Sequence, residues 1–490
     1  MKNAKKSLKK NVILNSIRNI LRLIFPLITI PYVSRILGVE NVGKYSFAFS
    51  IISYFILLSK LGIETFAVRE GSKYRDSREK FTHFASEIFT INIISSIISY
   101  MLLIACMAFI PQLSEYKLLL VILSFEIILT TLGCEWIYII YEDYAYITMR
   151  SIIFQTLSLI LLLSFIKTQN DLVAYTVIMV IAATGSNLFN LFNIHKYCDL
   201  KLEFTNNLKK YMIPILILFA NTVTTTIYSD SDITILGMLS DNYHVGIYSI
   251  ATKIYTTIKT ILSSIIVVSI PRLSYLFGKN NMQEFQKNGD QIINTLTYCV
   301  LPVMTGIISI AYQIIHIIAG ETYIEGTLSL QILGLALIFS LYSWFYTSCI
   351  LIPAKKEKNV LVATLVAGIT NVVLNILLIP HFIQNAAAFT TLLAELISFT
   401  ICYIKAKKIV NVKPNIKNFT TTIIGCMGIF LYCFVFNKCL NINMVLGTIA
   451  CIIGSIIIYY LITKILKNEV LLSFENSLKN KLKINKKKTQ

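Results

Sequence analysis

An all-α membrane protein with about fourteen transmembrane helices is the fold class this sequence predicts. Three observations predict it. Hydrophobic residues fill 56% of the 490 positions while charged residues fill 14%, and the mean hydropathy is +0.69. A soluble chain carries about a quarter charged residues and no repeated apolar runs of spanning length. Apolar windows of roughly 20 residues, enough to cross hydrocarbon as a helix, recur throughout. They lie near 12–34, 44–67, 82–110, 117–140, 147–166, 172–194, 211–239, 245–270, 290–318, 327–352, 359–379, 385–404, 418–437 and 442–463.

The third observation is where the basic residues fall. The net charge is +19, yet 34 of the 44 Lys and Arg residues lie in alternate segments: 1–11, 68–81, 141–151, 195–210, 271–289, 353–358, 405–417 and 464–490. The segments between hold five, Arg35, Lys44, Lys117, Lys167 and Lys438, and five more lie inside helices. A compositional bias toward lysine would not alternate. The positive-inside rule does, and it predicts an even number of crossings with both termini cytoplasmic. The basic charge therefore reports topology and indicates no nucleic-acid partner. Met1–Lys10 is basic and leads into a full-length apolar helix without a small-residue cleavage site, so it is expected to be a retained first helix. The ten cysteines sit mostly in apolar segments without a C-x-x-C pair. They are expected to act as small hydrophobes, with no metal or other cofactor.

All loops are short, which excludes a membrane-embedded enzyme with a large catalytic loop. An internal echo is visible. Ile36-Leu37-Gly38 precedes Val42-Gly43-Lys44-Tyr45-Ser46, and Ile235-Leu236-Gly237 precedes Val245-Gly246-Ile247-Tyr248-Ser249. Six predicted helices separate the copies, so the two halves have the same orientation, a parallel repeat of the kind found in transporters. The expected organisation is a six-helix lobe over 1–205, a second over 206–410, and two further helices with a basic cytoplasmic tail over 411–490.

Polar residues at helical spacing mark the four helices flanking the repeats. The first carries Asn11, Asn15, Arg18 and Arg22; the second Ser46, Ser50, Ser53, Lys60 and Glu64. The seventh carries Asn221, Thr225, Tyr228, Ser229 and Asp232, and the eighth Ser249, Thr252, Lys253, Thr256, Thr260 and Ser263. A 3.6-residue period places each set on one face. Charge in hydrocarbon normally faces a bundle interior or a watery cavity. Hydroxyls also serve helix packing, and Lys60, near a helix end, can snorkel or be neutralised by Glu64 four residues on. Arg18, Arg22 and Lys253 together would attract an anion, Arg by bidentate hydrogen bonds and Lys as a point charge. Asp230, Asp232 and Glu395 are candidates for coupling protons or sodium, each with a structural ion pair as the alternative. Glu126 admits both readings, and Lys259 lies off the Lys253 face. Pro26 and Pro31 predict a kink in the first helix beside its stripe.

The stretch from Asn15 to Glu70, with PYVSRILGVENVGKYSFAFSIISYF and LGIETFAVRE, resembles the opening of the Wzx-type oligosaccharide flippases. These are polysaccharide-export transporters of the multidrug/oligosaccharidyl-lipid/polysaccharide superfamily. Asp232 to Gly237 followed by Val245 to Tyr248, and Ile270-Pro271-Arg272, resemble the same family across its seventh and eighth helices. The resemblance implies two six-helix lobes around a central cavity, and alternating access in a bacterial inner membrane. It implies transfer of an undecaprenyl-pyrophosphate-linked glycan to the outer leaflet, beside a polysaccharide polymerase machinery. Arg18, Arg22 and Lys253 would then meet the pyrophosphate, with Asn15, Ser53, Lys60, Glu64, Asn221, Thr225 and Thr256 lining the cavity. A lipid II flippase and a multidrug/cation antiporter of the same fold are the rival readings; the antiporter would favour an acidic or aromatic cavity.

Overall fold

The computed structural model describes residues 8–439 and 443–476, without the side chains of 8–24, Asn221, Thr224, Thr225, Tyr228, Ser229 and Cys439. The described chain is helical, and it falls into two compact units, Met1–Gly246 and Ile247–Gln490. Eleven of its helical segments are long and apolar enough to cross a membrane. The protein is a multi-pass membrane protein.

The first unit comprises α1 (Leu8–Lys60), α2 (Ile63–Gly71), α3 (Arg78–Phe109), α4 (Lys117–Gly133), α5 (Glu135–Ile140), α6 (Tyr144–Phe165), α7 (Leu172–Val180), α8 (Asn187–Asn193) and α9 (Asn207–Leu239), with the opening residues of α10 (Asn242–Gly278). At 1.5 Å per residue a 53-residue helix would extend about 80 Å, far beyond a roughly 30 Å hydrocarbon core. The chain solves this at Gly38, whose φ of 76° and ψ of 171° interrupt the helix. Glycine reaches this conformation without a Cβ penalty. The backbone keeps helical dihedrals through Pro26 and Pro31, so the break falls in the repeated Ile-Leu-Gly segment and not at the prolines.

Polarity in this unit is reversed relative to a soluble domain. On α3, Asn92, Ser95, Ser96 and Ser99 share the buried face, whereas Ile97, Met101 and Ile104 are more than half exposed. Asn92 and Ser95 donate to the Ser59 carbonyl at 2.8 and 2.6 Å, Ser99 to the Phe55 carbonyl at 2.7 Å, and Ser96 pairs with Thr131 at 2.6 Å. Small hydroxyl residues thus join α3 to α1 and α4, while the apolar face is left for lipid. At one end of the bundle Ile63, Phe66, Phe81, Phe84, Trp136 and Tyr138 form a packed core around α2 and α5.

The second unit holds the rest of α10 with α11 (Met282–Ser309), α12 (Ala311–Ile318), α13 (Thr327–Tyr346), α14 (Glu357–Lys407), α15 (Ile416–Cys439) and α16 (Met444–Ile465). α14 is interrupted at Ile383, where φ is 50° and ψ −126°. α15 and α16 pack together against α11. Cys426, Cys433 and Cys451 are buried free thiols in that core beside Leu301 and Tyr459, the role expected of apolar cysteines.

The repeat glycines make a close crossing within the first unit. A Cβ added to Gly43 would lie 1.8 Å from the Asn242 carbonyl oxygen, and one on Gly246 would lie 2.1 Å from that of Val39. Both obstacles are backbone and cannot swing aside. Gly43→Ala is therefore expected to destabilise by at least about 1–3 kcal/mol, the usual cost of overpacking. Gly278→Ala meets no atom within 4 Å and is expected not to lower stability. Thermal unfolding of the two purified variants checks the contrast.

Candidate functional site

Helix interruptions build a polar cavity inside the first unit. α1 ends at Lys60, and Leu61 and Gly62 adopt left-handed backbone with φ of 45° and 71° before α2 starts. Cys134, with φ of 40°, separates α4 from α5. Between α7 and α8 the chain widens into a π-turn over Ile181–Gly185, a feature concentrated at functional sites. Residues at these three interruptions line one cavity of about 490 Å3: Lys60 and Glu64, Glu135 and Trp136, and Thr184 and Asn187.

Its wall holds an ion pair between buried Arg150 and half-buried Glu135. Arg150 Nη2 donates to Glu135 Oε2 at 2.7 Å, with side chains 6% and 27% exposed. Arg150 Nη1 donates to the Ser186 carbonyl at 3.0 Å and to Asn187 Oδ1 at 3.1 Å. The planar guanidinium suits several fixed acceptors at once. Trp136 is buried, and its Nε1 has no hydrogen-bond partner among the described residues. The charge distribution along the sequence counts Arg150 with the basic loop residues; the structure buries it in the bundle. Sequence reasoning also missed Glu135 and Asn187. The break at Cys134 follows Gly133 directly, but the apolar run continues on both sides of it and leaves no periodic signal to flag them.

The expected residues divide in three ways. Lys60 and Glu64 do line the cavity, but Glu64 belongs to α2, so the single stripe expected over Ser46–Glu64 is broken at Leu61-Gly62. Among the described residues no ion pair joins Lys60 to Glu64, because the left-handed turn removes their helical register. Elsewhere in the unit Ser53 Oγ donates to Asp230 Oδ2 at 2.8 Å, tying α1 to α9. Thr234 extends this contact to Ser50 at 3.0 Å and Tyr54 at 3.1 Å, and Asp232 is buried. The side chains of Asn15, Arg18, Arg22, Asn221 and Thr225 lie outside the described residues.

In the second unit Lys253 and Thr256 lie on an exposed face of α10, where Thr256 is satisfied by the Thr252 carbonyl at 2.8 Å. Glu395 receives Lys259 Nζ at 2.9 Å and the Tyr255 hydroxyl at 3.3 Å. The buried acid thus has a cation partner, and that partner is the lysine off the Lys253 face.

This architecture is that of a multi-pass helical membrane protein. The backbone is similar to that of the lipid II flippase MurJ in an inward closed conformation, with a TM-score of 0.74 at 17% identity over 94% of this chain and 100% of that one. It is also similar to an inward-facing MATE multidrug resistance transporter, with a TM-score of 0.60 at 12% identity over 81% of this chain and 98% of that one. The chain belongs to the polysaccharide biosynthesis protein family, whose model matches residues 8–277, and with it to the Wzx-type group its motifs resemble. Among its relatives are a "Putative O-antigen transporter" of Escherichia coli (strain K12), 23% identical over 84% of this chain and 99% of that protein, and the capsular polysaccharide biosynthesis protein CapF of Staphylococcus aureus, 23% identical over 80% and 98%.

Removing one partner of a buried pair strands the other charge and costs about 3–5 kcal/mol. Glu135 is half-buried, so Arg150→Ala is expected to cost less than that, about 1–3 kcal/mol, whereas Lys60→Ala, at an exposed residue, is expected to change stability by less than about 0.5 kcal/mol. Thermal unfolding of the purified variants measures both.

Proposed function

We propose that the chain is a flippase that moves undecaprenyl-pyrophosphate-linked oligosaccharide repeat units from the cytoplasmic to the outer leaflet by alternating access. The observation that carries this reading is a polar, ion-paired cavity inside a bundle of apolar crossings in a member of the polysaccharide biosynthesis family. The names of its relatives, an O-antigen transporter and a capsular polysaccharide biosynthesis protein, agree with it. In this reading the chain performs transport and catalyses no reaction, and it works beside the polymerase that consumes its cargo.

Fourteen crossings are supported by the eleven candidate spans, by α1 and α14 each being long enough for two crossings and broken once, and by the 33-residue α9. An even number agrees with the alternating loop charges, which favour an inner-membrane protein with both termini cytoplasmic. Two six-helix lobes over 1–205 and 206–410, followed by helices 13 and 14, agree with the parallel repeat. Arg18, Arg22 and Lys253 are proposed to meet the pyrophosphate. Asn15, Ser53, Asn221, Thr225 and Thr256 are proposed to line its path with Lys60 and Glu64. Asp230, Asp232 and Glu395 are the proposed coupling acids; the bonds of Asp230 to Ser53 and Glu395 to Lys259 would have to change in the cycle. An inside-negative potential favours export of an anion by about 2.3 kcal/mol per charge per 100 mV.

Deleting the gene is expected to leave lipid-linked glycan on the cytoplasmic face, and complementation with Arg22→Ala or Lys253→Ala is expected to restore export at least tenfold less well than wild type. Wild-type export by both variants would overturn the pyrophosphate role. Export by Asp232→Asn, titrated against pH and sodium, is expected to lose the dependence shown by wild type; an unchanged dependence would remove Asp232 from coupling.

A further inference from the structure

We propose that the segment from Asn468 onward is a membrane-surface clamp that holds anionic glycerophospholipid headgroups of the leaflet beside it, the cytoplasmic one in the topology proposed above.

The chain does not leave the bundle where α16 ends. Lys467 adopts left-handed backbone, with φ of 53°, and a further helix covers 469–476. The start of that helix is fixed to the first turns of α15. Asn468 is fully buried; its amide donates to the Asn418 carbonyl at 3.2 Å and to Thr421 Oγ1 at 2.7 Å, and its Oδ1 accepts from the Val470 amide at 3.0 Å. Glu469 Oε2 accepts from Asn418 at 3.2 Å and from Asn415 at 3.3 Å.

Glu475 sets the direction of the helix. Its carboxylate accepts from the Tyr460 hydroxyl at 2.6 Å and from Lys464 Nζ at 3.0 Å, and Lys464 also donates to the Tyr460 hydroxyl at 2.7 Å. Tyr460 lies about 7–8 Å back along the axis from Ile465, where α16 ends. The helix therefore turns back beside the last turns of α16 and does not project beyond them. At about 33 Å, α16 matches the roughly 30 Å hydrocarbon thickness, so its last turns and this helix share the depth of the headgroup boundary. A lysine and a tyrosine at that depth are usual interfacial anchors.

Two faces result. Val470 and Leu471 are buried, whereas Leu472 and Phe474 are exposed. Apolar side chains held at a headgroup boundary gain by entering the acyl region. The sequence extends the pattern. Leu478 and Leu482 follow Phe474 at i+4 and i+8, the spacing of one helical face, and six lysines occupy 479–488 without an acidic residue. An anionic lipid surface matches both features, the apolar residues by burial and the lysines by headgroup charge. A zwitterionic surface would meet only the first. A soluble acidic protein would match the lysines but not apolar residues held at the boundary.

Trypsin cuts after the lysines of the tail and reports their engagement without a substitution. Full-length protein is placed in nanodiscs of phosphatidylcholine alone or with about 30% phosphatidylglycerol, a lipid of net negative charge. Cleavage within 479–488, followed by the mass of the product, is expected to be at least about tenfold slower in the anionic discs. The difference is expected to vanish near 1 M salt, where the Debye length is about 3 Å. The double variant Leu472→Ser, Phe474→Ser, its folding checked by thermal unfolding, is expected to lose most of the protection. Equal cleavage in the two lipids overturns the clamp, as does protection already complete in detergent, which would place the tail on its own chain. Protection of the double variant equal to that of wild type overturns it too. Export is read separately by glycan accumulation, so failure of the clamp leaves the flippase reading standing, and loss of that reading leaves the lipid contact standing.

Discussion

Hydrocarbon offers no hydrogen bonds, so a chain that crosses it must satisfy every backbone amide internally or bury the exceptions in protein. The architecture of the first unit follows from that constraint. Its crossings are continuous helices wherever lipid would surround them. The interruptions at Leu61-Gly62, Cys134 and Ile181–Gly185 converge on a single cavity. Released backbone groups are tolerated where polar side chains gather, so cavity and breaks are one feature. The break at Gly38 is of a different kind: it divides a helix too long for a single crossing.

The same constraint reverses the usual placement of polarity. In water, burial of apolar surface drives packing; in lipid the apolar face gains little by leaving its surroundings, and close packing with hydrogen bonds must join the helices. The serines of α3 do this against the carbonyls of α1. Gly43 and Gly246 serve the same end by a different route, since the absence of a side chain lets backbones approach closely. In the C-terminal core, buried cysteines fill small gaps beside Leu301 and Tyr459.

Features with a period or a charge bias were legible in the sequence. The apolar windows anticipated a chain of helices long and apolar enough to cross a membrane, of which eleven are described, and the Ile-Leu-Gly echo marked both the break at Gly38 and the glycine crossing. Two kinds of feature escaped. Breaks within an apolar window were hard to read: the run over 117–140 is divided at Cys134, a cysteine in left-handed backbone, and the single Gly133 before it is a weak signal inside an apolar run. Partner choice across the fold was also hidden. Glu395 pairs with Lys259, a contact between α14 and α10 that spacing along either helix alone does not show. Lys60 and Glu64 lie four residues apart, yet the turn between them cancels the helical geometry that would make them a pair.

Arg150 shows why cations in a membrane sequence have to be sorted before they are given a substrate. By position it joined the basic loops, and by chemistry it could equally have joined Arg18 and Arg22 as an anion-binding group. Its guanidinium is already occupied by Glu135, Asn187 and a backbone carbonyl, so its charge is spent on holding α5, α6 and α8 together. A cation can attract phosphate only with the charge its protein partners leave uncompensated.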